Sequence, residues 1–366
     1  MHEIIAREIR EAGVISFERF MELALYCPVY GYYEKEGDNI GRAGDFFTSV
    51  SVGNVFGELL ARQFADWLQA VQKRDSTNQN RTVQIVEAAA HRGRLAKDIL
   101  GWIQQWRKEL FAKLEYWIVE PSAHLHGKQQ NALASFGEKT HWVSSLTELK
   151  KNREISGVIF SNELLDAMPV KRIGWDAGKK RWFEWGVSLQ NEKFVWAKMP
   201  EVSRIRIQVS DLPDELLAVL PDGFTTEISP VAKNWWREAA DILKTGKLVT
   251  LDYGCSAEEL IIPERGQGTL RGYANHRVVE NLLAEPGETD ITAHVNFTAI
   301  QLAGESAGLK TEACISQEKF LTEIAAQTWR NPGNFPEWTP ARLRQFQTLT
   351  HPEHLGRPFR VLIQSR

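Results

Sequence analysis

The chain has 366 residues, enough to bury a large core in one elaborated domain or in two modest ones. Its net charge is −3 and both signs of charge are interspersed, so no broad basic field is available for nucleic acid or for an anionic membrane. Three scattered cysteines, no apolar run near the roughly 20 residues that span a bilayer, and no signal-peptide core together predict a cytoplasmic protein.

The N-terminal region is predicted to be mainly helical. Amphipathic spacing indicates helices over residues 2–12 and 17–26, with Ser16 as the N-cap of the second. A loop rich in glycine and aromatic residues follows over 27–49, of the kind that packs over a site or is disordered. A well-patterned helix over 52–72 precedes a polar linker. We therefore expect an N-terminal helical lid region over residues 1–80.

From residue 81 onward, strand and helix patterns alternate. Strands are predicted at "TVQIVE", "EYWIVE", "HWVSS" and "SGVIFSNELL", with helices near 94–110 and 122–135. Short runs such as "RWFEWGVSL" indicate antiparallel hairpins over about 170–229. A helix over 230–244, the strand "GKLVTLDYG" and a C-terminal strand "RPFRVLIQSR" that closes the sheet complete the pattern. The fold class is therefore α/β, with a parallel sheet in a domain over 81–366 and a β-rich insertion.

Polar side chains follow several predicted strands, at the edge where ligands bind in doubly wound sheets. Glu87 ends the first strand, and Glu120 and Ser122 follow the second. The segment "SNELLDAMP", residues 161–169, and Asp252 follow two later strands. Taken alone, each of these positions also fits a helix cap or a solvated loop.

The segment "SNELLDAMP" carries the strongest of these signals. It places Asn162, Glu163 and Asp166 within five positions after a buried strand. Burying an amide and two carboxylates without a use is costly, and an acidic pocket suits a sulfonium or a guanidinium. The histidines give no comparable pattern: His124 and His126 do not share a helix face, and His351 and His354 lie in a predicted loop. No metal site is expected.

Several separated motifs together resemble one protein family. They are "FMELALYCPVYGYY", "GRAGDFFTS", "YWIVEPSAHLHGKQQNAL", "SNELLDAMPV", "GTLRGYANH" and "GETDITAHVNFTAI". They occur in the order seen in the MidA family, over about residues 5–320. The resemblance implies a Rossmann-like class I methyltransferase sheet with an N-terminal helical lid and an antiparallel β insertion. It also implies S-adenosyl-L-methionine as cofactor and a protein arginine as acceptor, since mitochondrial members methylate a respiratory complex I subunit.

The resemblance also assigns roles to individual residues. Glu120 would accept hydrogen bonds from the ribose diol, and Glu87 would lie near the amino-acid end of the cofactor. The remaining cofactor contacts carried over are Gly44, Asp45, Thr48, Ser49, Ala89, Gly93 and Ser122. Asn162, Glu163 and Asp166 would line the methyl-transfer face, and which of the two carboxylates accepts a proton stays open. Asp252 fits the same pocket or a turn role, and for Asp290, His276 and His294 a structural role is favoured.

Two departures from the family pattern raise an alternative function. The family usually has Glu-x-Gly-x-Gly-x-Gly where this chain has Glu87, Ala89, His91 and Gly93. A tight turn tolerates Ala89 if its φ is negative and His91 if its side chain points to solvent, whereas alanine at positive φ is strained. Val50 and Ser51 also replace a common Pro-Glu pair.

These changes favour a non-catalytic methyltransferase-fold protein that acts as a binding or assembly factor. The intact segments "SNELLDAMP" and "IVEPS" favour the enzyme instead. A dinucleotide oxidoreductase would need a glycine-rich phosphate turn that this chain lacks. The sequence leaves the oligomeric state open, and a homodimer is compatible with it.

Overall fold

The computed structural model describes residues 1–35, 48–74, 82–200, 217, 219–274 and 277–366. The helices are α1 (His2–Ala12), α2 (Phe17–Tyr26), α3 (Ser49–Val52), α4 (Val55–Arg74), α5 (Arg94–Trp106), α6 (Lys108–Ala112), α7 (Ala123–Leu133), α8 (Leu146–Asn152), α9 (Pro230–Ile242), α10 (Ala257–Leu260), α11 (Phe297–Ser306), α12 (Gln317–Arg330) and α13 (Pro340–Leu349). The strands are β1 (Ile15–Ser16), β2 (Val83–Ala88), β3 (Leu114–Val119), β4 (Thr140–Val143), β5 (Ile155–Asn162), β6 (Lys171–Asp176), β7 (Arg181–Gln190), β8 (Lys193–Lys198), β9 (Thr225–Ile228), β10 (Leu243–Cys255), β11 (Arg271–Ala274), β12 (Arg277–Val278), β13 (Asp290–Thr292), β14 (Val295–Asn296), β15 (Lys310–Ser316) and β16 (Phe359–Ser365). Among the described helices, none has the length and apolarity needed to cross a membrane.

The chain divides into two compact units whose segments alternate along the sequence. The first, here called the insertion unit, comprises Met1–Asp38, Asp166–Ala232 and Cys255–Asn296. The second, here called the sheet unit, comprises Asn39–Leu165, Lys233–Gly254 and Phe297–Arg366. The predicted division into 1–80 and 81–366 differs from this one, because residues 1–38 and the helix α4 are assigned to different units.

The sheet unit is built on a doubly wound sheet with the strand order β15-β16-β10-β5-β2-β3-β4. Strands β10, β5, β2, β3 and β4 are mutually parallel, and β16 runs antiparallel to its neighbours. Every residue of β2 is buried, as expected for a strand covered on both faces. Phe64 of α4, Ile99 of α5 and Phe160 of β5 share one buried cluster, so the apolar stripes of these helices cover the sheet. The predicted α/β class with a mainly parallel sheet is confirmed.

The insertion unit contains antiparallel sheets. One has the order β1-β7-β6-β9 with β8 paired to β7, and the other has the order β12-β11-β13. The antiparallel hairpins predicted for residues 170–229 are therefore present, since β6 pairs with β7 and β7 pairs with β8. Helices α1 and α2 also match their predicted bounds, and the Ser16 hydroxyl accepts a hydrogen bond from the Arg19 amide as an N-cap.

Some predicted bounds differ from the observed ones. The helix expected over 94–110 ends at Trp106, because Arg107 has non-helical φ and ψ and separates α5 from α6. The predicted C-terminal strand is present as β16, and it lies between β10 and β15. The edge strand β15 was not predicted, because "KTEACIS" alternates polar and apolar residues only weakly.

Candidate active site

The strand register of the sheet unit brings several predicted site residues to one edge. Ala88 lies opposite Val119 of β3 and Ser161 of β5, and Leu251 of β10 lies opposite Asn162. The residues that follow these strands, among them Ala89, Glu120, Glu163 and Asp252, therefore emerge at the carboxyl edge. Ligands of doubly wound sheets bind at this edge, near the point where strand order reverses. Here the reversal lies between β2 and β5.

The turn after β2 keeps a backbone suited to glycine although two of its residues are not glycine. The φ angles are 57° at Ala89, 47° at His91 and 76° at Gly93. An L-residue in the left-handed region costs roughly 1–2 kcal/mol. Ala89 therefore lacks the negative φ that would let an alanine fit this turn without strain. The substitutions have left the path of the turn in the left-handed conformation at a cost in strain.

Glu87 is a buried carboxylic acid at the end of β2. Its side chain is 3% exposed, and its Oε2 accepts a hydrogen bond of 2.7 Å from the Tyr116 hydroxyl. Burial raises the pKa of Glu87 to about 7; the Tyr116 bond opposes this rise, and the charge of Glu120 adds to it. Near neutral pH, Glu87 therefore exists in both protonation states, and a cationic group nearby would shift it to the carboxylate.

Glu120 is held in a fixed orientation by two amide groups. The Ser122 backbone N–H donates to Oε1 at 3.0 Å, and the Gln129 side-chain Nε2 donates to Oε2 at 2.8 Å. The Ser122 hydroxyl also caps α7 by accepting from the Leu125 amide. Amide donors stabilise the charged form of a carboxylate and fix its lone pairs in space. Glu120 is thus oriented before any ligand arrives.

The loop after β5 places Glu163 in a strained conformation. Its φ is 53°, and its backbone N–H donates to the Leu251 carbonyl at 2.9 Å. Its Oε1 accepts from the Asn162 Nδ2 at 2.9 Å and from the Ser49 backbone N–H at 3.3 Å. The structure therefore brings Ser49, Asn162 and Glu163 together. Non-glycine residues held at positive φ concentrate at functional sites, where the surroundings over-determine them.

The Asp252 carboxylate binds the backbone of this loop. Its Oδ2 accepts from the backbone amides of Leu164 and Leu165 at 3.1 and 2.8 Å, and its Oδ1 accepts from the Tyr253 amide at 2.8 Å. Its side chain is fully buried. Of the two roles weighed for Asp252, these contacts support the turn role, because both carboxylate oxygens bind backbone amides.

The segment around Thr48 explains why the loss of a family carboxylate at Ser51 is tolerated. Thr48 and Ser51 form a capping box at the start of α3, in which each side chain satisfies the backbone amide of the other. A glutamate at the third helical position usually makes the return bond, and Ser51 makes it here. Ser49 is buried, and its hydroxyl donates to the Gln317 Oε1 at 3.2 Å. The predicted contacts Gly44 and Asp45 lie outside the described residues.

The other predicted residues lie in the insertion unit. The Asp166 carbonyl accepts from the Ala293 amide at 2.9 Å, and the buried Asp290 accepts a hydrogen bond of 2.6 Å from the Tyr33 hydroxyl. Burial, with the charge of Arg265, lowers the pKa of His294 to about 4. His276 lies outside the described residues. The role of Asp166 on a methyl-transfer face stays a prediction.

Three further side chains at this edge were missed by sequence reasoning. Tyr116 binds Glu87, Gln129 binds Glu120, and Gln317 anchors Ser49 while its own Nε2 donates to the Leu349 and Leu355 carbonyls. Neither glutamine is marked in the sequence, because both are uncharged and a glutamine on a helix usually faces solvent. Within the described ranges, no cluster of three or more histidine, cysteine, aspartate or glutamate side chains is arranged to hold a metal ion.

Comparison with known proteins identifies what the chain is similar to. A profile of the family described as "Putative S-adenosyl-L-methionine-dependent methyltransferase" matches residues 59–315. A crystal structure of a candidate methyl transferase from Burkholderia thailandensis, bound to S-adenosyl-homocysteine, is 31% identical, with a TM-score of 0.84 over 100% of this chain and 91% of that one. The mitochondrial protein arginine methyltransferase NDUFAF7 of Danio rerio is 25% identical over 97% of this chain and 84% of its own, and that of Homo sapiens is 25% identical over 96% and 80%.

The donor set at the carboxyl edge fits an adenosyl cofactor. A carboxylate has about four lone-pair sites, so the two amide bonds that orient Glu120 are compatible with two more from a ribose diol. Glu87 can become a carboxylate beside an ammonium group because its pKa is about 7. The residues present thus match the chemistry of the group.

Proposed function

Because this chain belongs to the family of S-adenosyl-L-methionine-dependent methyltransferases matched above, we propose that it transfers a methyl group from S-adenosylmethionine to a side-chain nitrogen of a protein arginine. Membership of the family supplies the reaction type and the cofactor. The acceptor rests on the names of the relatives and on the acidic loop after β5.

One observation supports the acceptor more than any other. Glu163 sits at positive φ, and its Oε1 is bound by Asn162 and by the Ser49 amide. The backbone strain and the two donors hold the Glu163 carboxylate in one orientation. An oriented carboxylate suits a guanidinium, because a carboxylate and a guanidinium pair through two parallel hydrogen bonds. A protein that used this edge only as an interaction surface would gain nothing from the strain at Glu163.

The residues have distinct tasks in the proposed reaction. S-adenosylmethionine supplies an electrophilic methyl group on a positively charged sulfur. Glu120 would hold the ribose, and Glu87 would lie toward the amino-acid end of the cofactor. Glu163 would bind the guanidinium and localise its positive charge away from the attacking nitrogen, which would leave that nitrogen free to accept the methyl group. The proton that leaves the nitrogen passes to a carboxylate of the segment "SNELLDAMP".

A methyl-labelling experiment tests the acceptor. The purified protein is incubated with S-adenosylmethionine labelled in the methyl group and with an extract of cells that lack the gene. Labelled protein is then hydrolysed and its amino acids separated. We expect labelled methylarginine with the wild type and none with Glu163→Gln. Labelled methyllysine, or label that is independent of Glu163, would contradict an arginine acceptor at this loop.

The non-catalytic alternative predicts a different result in the same experiment. If the fold served only as a binding or assembly factor, the wild type would transfer no label although it binds a protein partner. A respiratory-complex subunit is the acceptor that we propose first, since the matched relatives carry that association in their name. The cytoplasmic location stays a prediction from composition; the curated relatives described above are mitochondrial. A homodimer stays compatible with the sequence.

A further inference from the structure

Gln129 is a fully buried polar side chain in α7, and it joins two loops of the carboxyl edge. Its Nε2 donates to the His91 carbonyl at 2.8 Å and to the Glu120 Oε2 at 2.8 Å. Its Oε1 accepts from the indole Nε1–H of Trp142 at 3.1 Å. The amide therefore links the altered turn after β2, the carboxylate after β3 and the strand β4.

The chemistry of the three partners fixes which way this amide points. The His91 carbonyl and the Glu120 carboxylate only accept hydrogen bonds, whereas the Trp142 indole N–H only donates. The NH₂ group must therefore face the turn and the carboxylate, and the oxygen must face the indole. The reverse orientation would set the amide oxygen against two acceptors. No other uncharged side chain of this size supplies two donors and one acceptor in this arrangement.

Helix α7 lies directly against the turn that Gln129 holds. A Cβ built on Gly93 would lie 3.5 Å from the Gln129 Cα, which is van der Waals contact. The turn is otherwise closed by backbone bonds, from the Ala89 amide to the Val119 carbonyl at 3.2 Å and from the Gly93 amide to the Ala90 carbonyl at 2.7 Å. Residues at positive φ that are not glycine persist where the surroundings over-determine them. The side-chain hydrogen bond from Gln129 to the His91 carbonyl adds to these backbone bonds.

We propose that Gln129 is a positioning residue of the cofactor site, which holds the left-handed turn at His91 in register with the ribose-binding carboxylate of Glu120. This inference rests on the proposed function for its consequence in cofactor binding. Through this amide, the turn keeps the conformation that glycines would adopt without help, and the carboxylate keeps the orientation that a diol requires. Gln129 touches neither the reacting atoms nor, by this account, the acceptor.

The test compares two neighbouring glutamines of α7. Gln129→Met keeps the volume of the side chain and removes its three hydrogen bonds, while Gln130→Met makes the same change at an exposed position. Binding of S-adenosyl-homocysteine is measured by calorimetry on each folded protein. We expect Gln129→Met to weaken binding by roughly tenfold or more, because two buried acceptors lose their donor. Gln130→Met should bind like the wild type.

A second readout does not need the cofactor. Hydrogen exchange of the ligand-free protein should accelerate in the peptide that covers residues 89–93 of Gln129→Met, with β2 and β3 unchanged. A role limited to filling the core would accelerate exchange across the sheet unit and leave the affinity of the folded fraction unaltered. That pattern would overturn the proposal.

Restoring the glycines supplies an internal check. In an Ala89→Gly/His91→Gly background, the turn adopts positive φ without strain, so the loss caused by Gln129→Met should shrink from tenfold to about threefold or less. An undiminished loss would show that Gln129 acts on Glu120 alone and would overturn its role at the turn. If Gln129→Met fails to fold, Trp142→Phe removes the indole donor but keeps an aromatic ring, and it should weaken binding roughly threefold.

Different results contradict the proposed function and the role of Gln129. A folded wild type that binds no S-adenosyl-homocysteine contradicts the proposed function, and with it the role of Gln129 in cofactor binding. A wild type that binds, beside a folded Gln129→Met of equal affinity, contradicts the role of Gln129 alone.

Discussion

The turn after β2 and the loop after β5 lie at the same edge of the sheet, and both hold non-glycine residues at positive φ. In the loop, the strained residue is Glu163, which is itself the predicted catalytic group. In the turn, the strained residues are Ala89, a predicted cofactor contact, and His91, and no catalytic role is predicted for either. The loop is held by a buried carboxylate, Asp252, and the turn by a buried amide.

This difference separates two origins of backbone strain. At Glu163 the strain serves to aim a side chain, so replacing the side chain should cost function. At Ala89 the strain is what remains when a glycine is replaced but the path of the chain is kept, so restoring glycine should relax the fold. The conformation of a cofactor turn can therefore outlast its glycines where neighbouring groups hold it.

The largest expected effect is on the loop. Glu163→Gln keeps the shape and the acceptor oxygen but removes the charge that binds and orients a guanidinium. We expect methyl transfer to fall on the order of a hundredfold or more, because removing one oriented electrostatic partner commonly costs that much. Affinity for S-adenosyl-homocysteine should stay within about threefold. Initial rates and calorimetry measure the two; equal rates in both proteins would show that Glu163 does not act in transfer.

The support of the loop gives the next effect. Asp252→Ala removes the acceptor of three backbone amides in a fully buried position. We expect the free energy of unfolding to fall by about 3–5 kcal/mol in urea titrations. Asp241→Ala, at an exposed position of α9, is the control and should change it by less than about 1 kcal/mol. Equal effects would show that the loop does not depend on Asp252.

Glu87 gives an effect that depends on pH. Its pKa is about 7 in the fold and its ordinary value is 4.5, so the folded state holds more protons between these values and loses stability as pH rises through them. In Glu87→Gln this loss is absent. Between pH 4.5 and 8, the free energy of unfolding of the variant should therefore rise by about 2–3 kcal/mol relative to that of the wild type. Urea titrations at both pH values measure this, and a constant difference would mean that Glu87 titrates normally.

The smallest effect is at the turn. Ala89→Gly removes a strained left-handed alanine but gives the unfolded chain more freedom, so we expect a net stabilisation of roughly 0.5–1 kcal/mol. The same change at Ala326, inside α12, should destabilise by about 1 kcal/mol. Thermal unfolding measures both changes in stability, and we expect them to have opposite signs. Destabilisation at both positions would mean that Ala89 carries no strain.

Sequence reasoning reached the fold and the candidate edge because both depend on local patterns. Buried strands such as β2 and β5 appear as apolar runs, and the groups that follow them must emerge at one edge. The positive φ of Ala89 could not be predicted from local sequence, because the conformation of the turn depends on Gln129, 40 positions later in the chain. The return bond of Ser51 shows the same limit: a serine here binds the N-cap amide that a glutamate at the third helical position usually binds.

The glutamines were the residues most easily overlooked. Gln129 and Gln317 lack the charge that marks Glu87 or Glu120 as a candidate, and a single glutamine on an amphipathic helix usually faces solvent. Their burial and their partners follow only from tertiary packing. The supporting groups of a site are thus harder to predict than the groups that contact its ligand.

The most direct test of the central claim, that the altered turn still forms a cofactor site, is a calorimetric titration with S-adenosyl-homocysteine. It compares the wild type with Glu120→Ala and with Glu138→Ala, an exposed glutamate of the same unit. We predict micromolar binding by the wild type and by Glu138→Ala, and a loss of at least roughly tenfold in Glu120→Ala. No binding by a folded wild type at millimolar ligand, or equal binding by all three proteins, would contradict it.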